Sequence, residues 1–99
     1  MLEPAYGEGV DEDLDLIEND ESKSALWNAV INTLQFICDN PTSAQARRNA
    51  IRYPSGRTAW RVPIRCPSED ENWSTVWYQD DGEAVFTYVG VWPPPPGRK

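Results

Sequence analysis

The sequence predicts an α+β domain in which a helical hairpin packs on one face of a three- to four-stranded antiparallel sheet. Three observations lead there. Apolar residues recur at spacings of three and four from Leu26 to Cys38, the mark of a helix with one buried side. Three later runs, residues 58–66, 73–79 and 84–92, are rich in aromatic and β-branched side chains and joined by short polar connections, as in an antiparallel meander. A chain of 99 residues holds one core and no more.

An acidic leader, residues 1–21, comes first. Pro4, Gly7 and Gly9 in MLEPAYGEGV read as extended or loose backbone. DEDLDLIEND places Leu14, Leu16 and Ile17 in a dense run of acids, a composition open to a short helix, an edge strand or a disordered arm. The domain itself, residues 22–92, starts at the long helix. Ser22 or Ser24 caps it, with Asp20 and Glu21 at the positive end of its dipole. Its stripe is Leu26, Trp27, Val30, Ile31, Leu34, Ile37 and Cys38. Pro41 ends it, because a residue before proline is driven out of helical geometry. Thr42 or Ser43 then caps a shorter helix, AQARRNAIR, with Ala44, Ala46, Ala50 and Ile51 inward and Arg47 and Arg48 outward.

YPSG, residues 53–56, is a turn set by Pro54 and Gly56. In the first strand Trp60, Val62, Ile64 and Cys66 alternate with Ala59, Arg61, Pro63 and Arg65. Pro63 has no N–H for a ladder, so its side of the strand is an edge or a bulge. PSEDEN is a loop, WSTVWYQ the second strand, DDGE a hairpin turn with Gly82 left-handed, and AVFTYVGVW the third strand. PPPPGRK, residues 93–99, is a polyproline II tail. Trp92 ahead of it clamps the tail or, with the prolines, serves a proline-binding module. The expected core sets Trp60, Val62, Ile64, Trp73 and Val85 against Trp27, Val30, Ile31 and Leu34. The other sheet face is left to solvent or a partner.

Composition removes several classes of function. No apolar run approaches the ~20 residues of a bilayer span, and the acidic N-terminus is unlike a signal or transit peptide. A soluble, cytoplasmic protein without membrane contact is the expectation. Two cysteines and no histidine leave one subunit without the ligands of a zinc site and without the base of Ser-His or Cys-His catalysis. No metal or cofactor is expected. Cys38 and Cys66 read as small buried hydrophobes, with a disulfide the alternative.

The net charge of −7 conceals a segregation. Residues 1–22 carry nine carboxylates and no base, residues 40–68 carry six arginines and no acid, and residues 69–83 return to acid. Without the leader the chain sums to +2, nine bases against seven acids. A cluster of guanidinium groups attracts polyanions within about a Debye length, ~8 Å. The plainer reading is an acidic leader that keeps a small domain soluble, with arginine stems covering apolar surface.

The helix ending in DNP, the shorter helix, AWRVPI, and then STVWYQDDGEAVFTYVGVW resemble the RelE/ParE toxin superfamily of bacterial toxin–antitoxin systems over residues 25–92. The resemblance implies a small α+β domain wrapped by a cognate antitoxin. It implies either metal-independent mRNA cleavage on the ribosome or inhibition of gyrase. In that family basic and tyrosine side chains activate the 2′-hydroxyl and stabilise the phosphate. Carried onto this chain, Arg61 matches the strand arginine after the aromatic, Arg65 lies further along the same face, and Tyr88 matches the tyrosine before the last Val-Gly. These three are the expected catalytic residues, and Arg47, Arg48, Arg52 and Arg57 the expected nucleic-acid contacts. Val91 and Trp92 stand where the family often has a basic residue or histidine, and the acidic leader stands where its first strand falls. Two other functions suit the same residues. One is a non-catalytic protein-binding module on this fold. The other is a phage-type inhibitor whose residues 3–21 mimic nucleic-acid phosphates.

Overall fold

The computed structural model describes residues 1–94. The chain runs β1 (Glu3–Tyr6), α1 (Val10–Glu18), a 3₁₀ turn (Glu21–Lys23), α2 (Ser24–Asp39), β2 (Ala50–Arg52), β3 (Thr58–Ile64), β4 (Trp73–Asp80) and β5 (Glu83–Val91). The strands form one sheet in the order β1-β5-β4-β3-β2. The class is α+β, as expected, and a helix packs on a sheet.

The helix pair and the sheet both differ from expectation. The leader supplies a strand and a helix: β1 pairs parallel with β5, which makes the sheet five-stranded and mixed. α1 buries Val10, Leu14 and Ile17, a stripe at helical spacing within the acid run. AQARRNAIR is not a helix. Residues 41–47 are turns and bends, and its end becomes β2, antiparallel to β3. Two features break the helix. The Ala46 carbonyl, which a helix would commit to the N–H four residues on, accepts instead from Trp77 Nε1 at 2.7 Å. Asn49 takes a positive φ of 51°, a left-handed geometry that asparagine tolerates and that sends the chain back alongside β3. The helical hairpin of the sequence reading is therefore replaced by α1 and α2.

The start of α2 is also built differently. The Asp20 carboxylate accepts from the Ser22 N–H at 3.0 Å and from Ser22 Oγ at 2.6 Å. It thereby caps the 3₁₀ turn that feeds the helix, while neither serine caps α2. At the other end the Asn40 N–H reaches the Phe36 carbonyl and Pro41 follows.

The core lies between the helices and one sheet face. Leu26, Val30, Leu34 and Ile37 of α2 join the α1 stripe against Val62, Ile64, Trp77, Phe86 and Val89. Trp27, Trp60 and Trp73 pack at its margin. Two expected core residues are displaced. Ile31 is 36% exposed. Val85 faces away from the core, because Ala84 and Phe86 take the inward positions. A β-bulge opposite Val76/Trp77 shifts the register: Phe86 pairs with Trp77, but Tyr88 pairs with Val76. Thr87 is the extra residue, and alternation restarts beyond it. Asp81 (φ 47°) and Gly82 (φ 81°) turn the β4–β5 hairpin, the pair of positive φ values that a tight two-residue connection needs.

β2 is short and pairs only with Thr58–Trp60. Beyond Trp60 the outer edge of β3 is unpaired except at Arg61, whose N–H donates to the Asn49 carbonyl. Pro63 shares that orientation, so the open edge has no N–H there to recruit another strand. Among the described residues no helix is long and apolar enough to cross a membrane. The proline tail expected at 93–99 lies outside the described residues from 95 onward.

Candidate polyanion-binding face

Cross-strand pairing decides which side chains meet on the face away from the helices. Residues directly opposite one another share a face. Arg61 pairs with Val76, and Val76 with Tyr88, so these three form one row. Pro63, Ser74 and Gly90 form the next. Alternation along β5 then places Tyr88, Gly90 and Trp92 on the same side. Tyr78, paired with Val85, joins them from β4.

These residues cover the sheet with their own side chains. The Trp92 and Tyr88 rings meet edge-on, centroids 5.8 Å apart. The Tyr88 hydroxyl donates to the Val91 carbonyl. The Arg61 guanidinium lies 5.3 Å from the Trp92 ring centre, and its Nη1 donates to Ser74 Oγ at 3.1 Å. Ser74 and Val76 are consequently buried, at 1% and 4% exposure, with no helix above them. Gly90 makes this possible. A Cβ there would stand 2.8 Å from Tyr88 Oη and 3.0 Å from Cζ. Gly90 has no positive φ, so the need for glycine is steric.

A second guanidinium–aromatic pair stands on the same face, Arg57 Cζ at 4.3 Å from the Tyr78 ring centre. The YPSG turn positions it: the Gly56 N–H returns to the Tyr53 carbonyl, Gly56 takes a φ of 91°, and the Tyr53 N–H reaches the Arg57 carbonyl. Farther along, Glu3, Glu83 and Asp80 lie in one row at the hairpin end. Arg61 and Trp92 thus lie at one end of the face and the acids at the other, with Arg57 on Tyr78, one same-face row from Asp80, next to the acids.

The other expected site residues lie elsewhere. Arg47, in the turn after α2, stacks on the core-side ring of Trp60 at 4.6 Å. Its Nε donates to the Pro41 carbonyl at 2.7 Å and its Nη2 to Gln79 Oε1 at 3.2 Å. Arg48 and Arg65 flank a groove between α2 and the edge of β3. Arg52 is exposed in β2, opposite Thr58. The six arginines therefore do not share one surface. Arg57 and Arg61 share the open face, and Arg65 also borders the hollow beside Arg61 and Trp92. Among the described residues the salt bridge is Lys23 to Glu69, at 3.2 Å; no arginine takes part in one.

Both cysteines are free thiols. Burial, with the Asp39 carboxylate beside it, pushes the Cys38 thiol up. Among the described residues no group of histidine, cysteine and acid side chains is arranged to hold a metal ion.

The sequence reading did not assign Tyr78 and Trp92 to the site. The spacing Tyr88-x-Gly90-x-Trp92 was the available signal: two aromatics on one strand face with a glycine between them leave room for a ring to lie flat. No protein-family model matches the chain, and no curated protein or solved structure matches it either.

Proposed function

We propose that this chain is a RelE/ParE-like toxin that engages a single-stranded RNA on the open face of its sheet. The observation that carries this reading is the two guanidinium–aromatic pairs on that face, Arg57 on Tyr78 and Arg61 on Trp92, neither arginine held in a salt bridge among the described residues. Single-stranded nucleic acid is bound by this combination. Aromatic rings stack bases at about 1–3 kcal/mol each, and arginine supplies phosphate and cation–π contacts. The strand ahead of the two helices, with four strands after them paired antiparallel, suits the small α+β domain that the family resemblance implies.

The Tyr88 hydroxyl is committed to the Val91 carbonyl and holds Trp92 in place. Tyr88 is therefore a support for the platform, and Arg61 is the residue on this face suited to bidentate phosphate contact. In this reading an antitoxin masks the face, and release of the antitoxin exposes it.

The test has two parts. Induced expression of the wild type arrests growth, and a variant carrying Arg57→Ala and Arg61→Ala does not. In fluorescence anisotropy a labelled single-stranded RNA binds the wild type with a salt slope of about 0.7 per phosphate neutralised, and the variant loses that binding. Equal growth and equal RNA binding for both proteins would remove the proposal. Growth arrest with no RNA binding would turn it toward gyrase.

A further inference from the structure

A second feature, on another part of the molecule, points to self-association. The groove between α2 and the unpaired edge of β3 has a volume of 480 Å³. Its apolar lining comes from Ala29, Phe36, Val62 and Pro63, and Arg48 and Arg65 are the charged residues in it. Neither arginine side chain makes a hydrogen bond or salt bridge among the described residues. The groove thus asks for an apolar group with carboxylates beside it.

This chain carries such a group. Leu16 on α1 is 72% exposed, the most exposed leucine of a helix whose Val10, Leu14 and Ile17 are buried. Glu12, Asp15, Asn19 and Glu21 lie beside it. A leucine ringed by acids complements a groove that offers apolar lining residues beside two arginines.

It cannot fill the groove of its own molecule. α1 packs against β5, and the groove lies beyond β3, with β4 between them. Strands stand about 4.8 Å apart, and moving α1 across would strip its stripe from the core.

We propose that a second copy of this chain docks its α1, through Leu16 and the flanking acids, into the Arg48/Arg65 groove. The contact is heterologous, so each molecule has one donor and one acceptor surface. A single leucine and a few ion pairs make a small interface, so the association is weak and salt-sensitive. This inference does not use Arg57, Arg61 or Trp92 and stands apart from the RNA reading.

Sedimentation equilibrium tests it at low and high salt, from about 10 µM to about 1 mM. The expected wild-type mass rises above the 11.2 kDa monomer with concentration at low salt and falls back at high salt. Leu16→Asp removes the donor surface, and Arg48→Glu with Arg65→Glu removes the acceptor. Each variant alone stays monomeric with unchanged circular dichroism. An equimolar mixture keeps one intact donor and one intact acceptor, so it forms a one-to-one pair. A wild type that stays monomeric throughout, association that persists in Leu16→Asp, or a mixture that does not pair would each overturn the proposal.

Discussion

Gly90→Ala gives the sharpest check on how the open face is built. Glycine inside a strand ordinarily costs about 0.5–1 kcal/mol relative to alanine, so this substitution on an ordinary extended backbone is expected to stabilise. Here the new methyl would lie 2.8 Å from Tyr88 Oη and 3.0 Å from Cζ, and the ring must swing away. The swing breaks the hydrogen bond to the Val91 carbonyl, about 1 kcal/mol. It also breaks the edge-on contact with Trp92, about 0.5–1.5 kcal/mol. The losses exceed the gain by about 1 kcal/mol, which lowers Tm by roughly 4–8 °C in a domain this size. Thermal denaturation of Gly90→Ala, Tyr88→Ala and the double variant closes a cycle. In the Tyr88→Ala background the alanine meets no ring, and the sign reverses to a gain of about 0.5–1 kcal/mol. If Gly90→Ala has the same effect with and without the tyrosine, Tyr88 does not lie over Gly90, and the account of why Ser74 and Val76 are buried fails with it.

Trp77→Phe removes a fully buried indole and leaves the Ala46 carbonyl without its donor. The cost is about 2–4 kcal/mol, measured by urea denaturation, and amide exchange in residues 41–49 accelerates more than elsewhere. Deleting residues 1–20 takes Leu2, Val10, Leu14 and Ile17 out of the core. At about 1.5–3 kcal/mol for each buried side chain this rivals the whole stability of a small domain, and circular dichroism should show an unfolded product. Asp20 titrates below its ordinary value of 3.8, because its carboxylate accepts two hydrogen bonds from Ser22, with Lys23 adding to the shift. A carboxyl with a depressed folded pKa stabilises the fold above the unfolded pKa and loses that effect as pH falls through the folded one. Asp20→Ala therefore lowers Tm at pH 7, and the difference from wild type shrinks as pH falls through the lowered carboxyl pKa.

Elements whose stability is local were legible. The stripe of α2, the three later strands, the YPSG turn and the DDGE hairpin each follow from spacing or from residues with special backbone preferences. What escaped depended on partners distant in sequence. β1 is four residues long and forms because β5, at the far end of the chain, offers a parallel edge. The α1 stripe of Val10, Leu14 and Ile17 has helical spacing, but Leu16 and the acids around it gave the segment no single face to read. AQARRNAIR has the local preferences of a helix and loses to one long-range hydrogen bond from Trp77 and a left-handed Asn49.

The arginines show why charge segregation along a chain does not become charge segregation on a surface. Six of the seven arginines lie in one acid-free stretch, yet the fold sends these six in different directions. In a strand, alternation keeps Arg61 with Pro63 and away from Trp60. In the turn after α2, Arg47 stacks on Trp60, on the opposite side of the sheet. Arg65 lies past the end of β3 and reaches both sides of the edge. Arg47, Arg57 and Arg61 stack on aromatic rings, Arg48 and Arg65 line a groove, and Arg52 stands exposed on β2. Stacking retains the charge and leaves a planar face dry on one side, whereas a salt bridge would neutralise it. A nucleic-acid face therefore gains more from Arg57 on Tyr78 and Arg61 on Trp92 than from six arginines held together. Close packing of six like charges would also cost electrostatic work.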